Sequence, residues 1–299
     1  MKAEIDCIPC ILDDIRGALE LLTSDESVRR QVMKECLEFL AENMDLKKEP
    51  SAYITQVHRI LKRVCNIEVP FAEIRYRCNE LGIELGKKLR PRIEGLDGFD
   101  RFSLLARWSI AANALDFRTV GTGYDFDIDE MEKSLHELAN NLDVDQLPQI
   151  YEKVKSAKRI LFVHDNVGEI ALDKLLIGDM TRDGHTEVIA AVRGGPITSD
   201  ATMDDARQVN LHEAATSVIL AGPDTLGISF EEMSDELKEE LSRADLVFAK
   251  GQANYYVFSE HKDEVNCPIV SLFRTKCHLV YGRFDAVANI SIAAIINHV

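Results

Sequence analysis

The absences in this chain narrow the field first. No apolar run approaches the roughly 20 residues of a membrane-spanning helix. The opening Met-Lys-Ala-Glu-Ile-Asp-Cys has no signal-peptide core, so a cytoplasmic location is expected. Basic residues are outnumbered, 35 Lys and Arg against 51 Asp and Glu, for a net charge of −16. That balance makes the chain a poor candidate for a sequence-independent grip on a nucleic-acid backbone, which needs clustered cations. No strand is followed by Gly-x-Gly-x-x-Gly, and no Gly-x-x-x-x-Gly-Lys-Ser/Thr or Gly-x-Ser-x-Gly occurs. Dinucleotide, P-loop and acyl-hydrolase sites therefore lack support. Cysteines number seven, scattered, with Cys7 and Cys10 the one local pair. No second pair or paired histidine completes a zinc site, so reduced packing thiols are expected, with a redox or metal role as the alternative.

What is present suits a globular protein. The 299 residues are 46% hydrophobic and 29% charged, enough for a proper core in one large or two modest domains. Residues 1–157 read as successive helices. Ile8, Ile11, Leu12, Ile15, Leu19 and Leu22 recur at helical spacing, and a second helix to about Asn43 offers Val28, Val32, Leu37 and Leu40 as its buried stripe. Further helices are expected from Pro50, from Phe71 to Leu89, and from Ser103 to Phe117. After the Gly121–Gly123 break and the acidic Asp125-Phe126-Asp127 loop, two more follow near 129–140 and 145–156.

From residue 158 to 299 short apolar strands alternate with helices. Strands are expected at 159–164, 186–192, 216–221, 245–249 and 268–273. The intervening helices fall near 169–178, 202–215, 229–243 and 254–262, with a last one at 286–297. This alternation implies an α/β fold with a mostly parallel sheet. Without a flexible linker, the helical region should pack on the α/β core as one body with a cleft.

Parallel sheets place their ligand sites beyond the carboxyl ends of the strands. The loops there are polar: Asp165-Asn166-Val167-Gly168-Glu169, then Arg193 to Thr202 with Asp200, then Asp224, Lys250-Gly251 and Lys276. Asp165, Asn166 and Asp200 supply only oxygen donors, which suits Mg²⁺ or Mn²⁺ rather than tetrahedral zinc. Lys250 and Gly251 leave a strand and open a helix, where an ammonium and backbone N–H groups can hold a phosphate. Metal and lysine together are what phosphoryl chemistry needs, because transferring charge must be neutralised. Each piece also has a plainer reading, as a helix N-cap or a solvated lysine. His164, alternating along a strand, should point away from Asp165 and at most support the site from behind.

The ordered set Asp165-Asn-Val-Gly-Glu-Ile-Ala-Leu-Asp-Lys-Leu-Leu, Gly194-Gly-Pro-Ile-Thr-Ser-Asp-Ala-Thr-Met-Asp-Asp-Ala, Lys250-Gly-Gln-Ala-Asn-Tyr and Thr275-Lys-Cys277 resembles the metal-dependent damage-control phosphatases. That family was long catalogued as a domain of unknown function. Cys7-Ile-Pro-Cys10 and Ala111-Ala-Asn113-Ala-Leu-Asp116-Phe117 resemble its short, single-domain prokaryotic branch. The resemblance implies a three-layer α/β/α core beside a helical portion, and a divalent cation (Mn, Co, Ni or Mg) on Asp165, Asn166 and Asp200. It further implies that Lys250 contacts substrate phosphate, with Glu169, Asn113, Asp116, Asn254 and Lys276 lining the pocket. Ser199 and Tyr256 depart from the family pattern, which bears on substrate preference.

The expected function is a divalent-metal-dependent phosphatase acting on small phosphate monoesters, such as sugar phosphates or damaged phosphometabolites. Asp165, Glu169 and Lys250 are its expected catalytic residues, and Gly251 is expected to help bind substrate. Whether a metal-bound water or Asp165 itself attacks stays open. The rivals are an S-adenosylmethionine-dependent methyltransferase, whose cofactor sits at similar strand ends, and a non-catalytic metal- or phosphometabolite-binding protein. Neither nucleic acid nor a membrane is expected as a partner.

Overall fold

The computed structural model describes residues 1–115 and 128–297. The Gly121–Gly123 break, the acidic loop at 125–127 and Asp116 lie outside the described residues.

The helical region follows its periodicity closely. It comprises α1 (Cys7–Leu22), α2 (Glu26–Asn43), α3 (Pro50–Cys65), α4 (Ala72–Leu89), α5 (Gly98–Ala111), α6 (Ile128–Asn140) and α7 (Leu147–Ser156). Asp25 caps α2 by accepting from the N–H groups of Ser27 and Val28, and Pro50 starts α3 where its missing N–H costs nothing. One expected core residue is displaced. Leu37 is half exposed, and Cys36, one turn beyond Val32, takes the buried position. The expected Ser103–Phe117 helix begins earlier, at Gly98, and tightens into a 3-10 turn over Ala112–Leu115.

The sheet has seven strands: β1 (Val144–Asp145), β2 (Arg159–Val163), β3 (Glu187–Val192), β4 (Ser217–Leu220), β5 (Leu246–Lys250), β6 (Ile269–Arg274) and β7 (Ser291–Ile295). Their order is β1-β7-β6-β5-β2-β3-β4, and every pairing is parallel except β6 with β7. Between the strands lie α8 (Glu169–Met180), α9 (Met203–Gln208), α10 (Asp235–Arg243), α11 (Gly251–Glu260) and α12 (His278–Tyr281). The five expected strands are all present. The expected C-terminal helix at 286–297 is not: that stretch carries β7. Its Ile290 to Ala294 are buried on both faces, and β-branched residues in a doubly covered strand lose the alternation that marks a strand. A largely apolar run of this kind, interrupted only by Ser291, reads as readily as a helix.

Helices cover both faces of the sheet. One core cluster runs from Leu81, Phe102 and Trp108 of the helical region to Phe162, Leu176 and Phe248 of the α/β region. Another joins α1, α2 and α3 to Cys78 and to Val167 in the loop after β2. The 157/158 boundary is thus crossed by continuous packing, and the helical region forms one wall of the site.

Candidate active site

β2 and β5 lie side by side at the centre of the sheet, so the loops that leave them meet. β2 delivers Asp165 and Asn166, and β5 ends on Lys250. Gly251 has φ +79°, and a Cβ there would stand 1.8 Å from Asp165 Oδ2. Only glycine lets the two loops approach this closely. The same device recurs below them. Gly168 has φ +74°, and a Cβ on Gly82 of α4 would stand 2.3 Å from its carbonyl oxygen.

Two amides converge on two carboxylates here. Asn113 donates to Asp165 Oδ2 (3.0 Å) and Glu169 Oε2 (2.8 Å). Asn166 donates to the same two oxygens at 2.6 and 3.3 Å, while its Oδ1 accepts from Ser199 Oγ at 2.6 Å. Asn113 Oδ1 is buried with no hydrogen-bond partner among the described residues. Lys250 is fully buried, and its ammonium turns inward to Glu169 Oε1, Asp173 Oδ1 (2.7 Å) and Ser109 O (3.3 Å). Burial disfavours that charge, but Asp173 and Glu169 outweigh it and hold the lysine above its ordinary pKa. Burial pushes Glu169 up despite Lys250. Burial acts on Asp173 too, yet Lys250 and His164 bring it below the ordinary carboxylate value.

Asp200 reaches the cluster through the backbone. An isolated antiparallel bridge joins it to Asn166, and Ala201 N–H donates to Asp165 O at 2.7 Å. Its Oδ1 accepts from Arg193 Nε (3.1 Å) and Gly227 N–H (2.7 Å), and its Oδ2 from Thr198 Oγ1 (2.9 Å). A carboxylate has about four acceptor positions, so Oδ2 keeps one. α4 braces this loop from beneath. Arg75 donates to Thr198 O (2.6 Å), Asp200 O (2.8 Å) and Asp205, while Asn79 joins Asp205 to Gly168 N–H.

The remaining expected residues divide. Asn254 is buried and uses all its amide positions, accepting from Arg193 and Ile228 N–H and donating to His164 O and Lys250 O. It ties four chain segments together. Lys276 is exposed on the loop after β6, its N–H held by Gln252 Oε1 at 2.6 Å. Asp224 is held by Arg59 and Lys62 of α3. Cys7 is buried and Cys10 exposed. A cavity of ≈ 450 Å³ lined by Tyr53, Phe230 and His261 lies behind the 225–230 loop and contains none of the expected site residues.

Sequence reasoning gave no role to Asp173, Ser109, Arg193, Arg75 or Asn79. Asp173 sits one helical turn after Glu169 and inside the Asp165–Leu176 motif, and these are its visible signals.

The donors suit a hard cation. Asp165, Asn166, Asn113 and Asp200 offer oxygen only, one of those oxygens is buried without a partner, and both amides can present oxygen by rotating. Ser199 Oγ can accept from the rotated Asn166 amide as readily as it now donates. Among the described residues no three His, Cys, Asp or Glu side chains cluster as metal ligands, so the amides are integral to any such site.

The acids and amides meet at the carboxyl edge of a parallel sheet, the edge where α/β proteins place their ligand sites. The chain belongs to the damage-control phosphatase ARMT1-like domain family, whose family model matches residues 3–289. It is 31% identical over 281 residues to a damage-control phosphatase of Archaeoglobus fulgidus, covering 94% of each chain. It is 29% identical over 280 residues to a second such phosphatase, from Pyrococcus horikoshii, covering 94% of this chain and 93% of that one. An uncharacterized protein of Methanocaldococcus jannaschii is 30% identical over 280 residues, 93% of this chain and 90% of its own. A crystal structure of a DUF89 family protein from Pyrococcus horikoshii superposes with a TM-score of 0.88 at 26% identity, over 99% of this chain and all of that one. Among the described residues no helix is long and apolar enough to cross a membrane.

Proposed function

We propose that this protein is a divalent-metal-dependent phosphatase of small phosphate monoesters, such as sugar phosphates or damaged phosphometabolites. The observation that carries this reading is the buried meeting of Asp165, Asn166, Asn113 and Glu169, one amide oxygen still unpartnered, in a chain of the damage-control phosphatase family. Asp165 and Asn166 would hold the cation, with Asp200 beside them. Mg²⁺ and Mn²⁺ suit these oxygen donors, and the resemblance to the family adds Co²⁺ and Ni²⁺. When bound, such a cation polarises a phosphoryl oxygen and neutralises its charge.

The protein groups do the rest. Glu169 can take or give a proton at Oε2, the oxygen shared with the two amides. Gly251 keeps side-chain bulk away from Asp165, and its N–H opens α11 toward the same edge. Lys250 is expected to act on phosphate only by exchanging a carboxylate partner. Where it stands, it positions Glu169. The methyltransferase alternative lacks a glycine-rich loop after β2.

The test is phosphate release from p-nitrophenyl phosphate and a panel of sugar phosphates, with each of the four metals and with chelator. Wild type should turn over with metal alone, and Asp165→Ala should be inactive yet folded. Release that survives chelation, or that survives Asp165→Ala, sinks the reading.

A further inference from the structure

α8 carries a second carboxylate, Asp173, one turn beyond Glu169 on the same face. It is fully buried and has three partners. Asp173 Oδ1 accepts from Ser109 Oγ at 2.6 Å and from Lys250 Nζ at 2.7 Å, and Oδ2 meets His164 Nδ1 at 3.0 Å. These come from α5, the end of β5 and the end of β2. Each is tied to a residue of the site. Lys250 grips Glu169, Ser109 lies four residues before Asn113, and His164 precedes Asp165. The His164 carbonyl in turn accepts from Asn254 and from Arg193, which braces the Asp200 loop.

Stability alone gives little reason for this arrangement. A buried ion pair is often no more stabilising than well-packed apolar side chains of the same volume. Two carboxylates around one ammonium, sealed from water, make sense where geometry matters more than stability. We propose that Asp173 is a positioning residue of the active site: by fixing Lys250 and His164 it holds Glu169 against the Asn113 and Asn166 amides and keeps the Asp165 backbone in register with them. This rests on the phosphatase reading above.

Asp173→Asn keeps the shape and removes the charge. Phosphate release by the metal-loaded variant should show kcat lowered roughly 10–100-fold, the usual range for a group that orients others. KM should stay within about twofold, because Asp173 touches no substrate. A residue needed only for folding would reduce the folded fraction and leave kcat per folded molecule unchanged. Ser109→Ala, which takes away one partner without altering charge, should lower kcat by roughly threefold to tenfold and keeps the test open if Asp173→Asn fails to fold. Active wild type with variants of equal kcat overturns this inference alone. Wild type that releases no phosphate with any metal overturns the phosphatase reading, and this inference with it.

Discussion

Two buried polar clusters lie beneath the same sheet edge, and they are finished differently. In the Arg75–Asp205–Asn79 cluster the groups that brace the loops are mutually satisfied. Arg75 spans two carbonyls and a carboxylate, and Asp205 also closes a capping box on Thr202. In the Asp165–Glu169–Lys250 cluster and its immediate supports, buried atoms are left over. Among the described residues, Asn113 Oδ1, His164 Nε2 and Arg193 Nη1 are three of the six buried side-chain atoms without a partner. Leaving a buried polar atom unmade costs about 1–3 kcal/mol, so it persists where something else uses it. The saturated cluster builds the loops; the unsaturated one is where, on the proposed phosphatase reading, a ligand would complete the bonding.

That contrast can be broken by experiment. The largest effect should come from Gly251→Ala, whose Cβ would overlap the Asp165 carboxylate in a left-handed conformation. Phosphate release should fall by roughly 1000-fold or more if Asp165 is displaced. Arg75→Ala should act on stability instead. It strands buried Asp205 and should cost about 3–5 kcal/mol, read from the urea midpoint. Asn113→Ala should show the reverse pattern, with stability changed by about 1 kcal/mol and activity lowered roughly 100-fold. If Asn113→Ala unfolds the protein and Arg75→Ala spares it, the division of labour is wrong.

The smallest effect lies outside both clusters. Arg159 grips Glu240 through two bonds of 2.7 and 2.9 Å and holds its carboxyl below the ordinary 4.5. A lowered folded pKa gives stability that is complete above the unfolded value and fades as pH falls through the folded one. Glu240→Gln should therefore cost about 1 kcal/mol at pH 7, with the gap closing below pH 4 in urea titrations. A gap that persisted at acid pH would mean packing, not charge, makes that contact.

Much of this protein was legible in its sequence. Helical spacing placed α1 to α4 because each buries one stripe against its neighbours. Apolar runs bounded by polar loops marked five of the seven strands, and the parallel alternation put Asp165, Asn166, Asp200 and Lys250 at one edge. The family followed from motifs in order along the chain. What stayed hidden depends on partners far away in sequence. β7 is a strand because an antiparallel neighbour and a covered second face await it, and nothing in its own residues says so. Lys250 looks solvent-bound in the chain but meets Glu169 and Asp173 from 81 and 77 residues away. Asn254, a ligand candidate by motif, becomes a four-way brace once β2, β3 and β5 lie side by side. Local periodicity and composition are properties of neighbours in the chain, and the sequence alone determines them. Which charge faces which across a buried interface is decided by the packing of the sheet against α4, α5 and α8, and only the tertiary structure settles it.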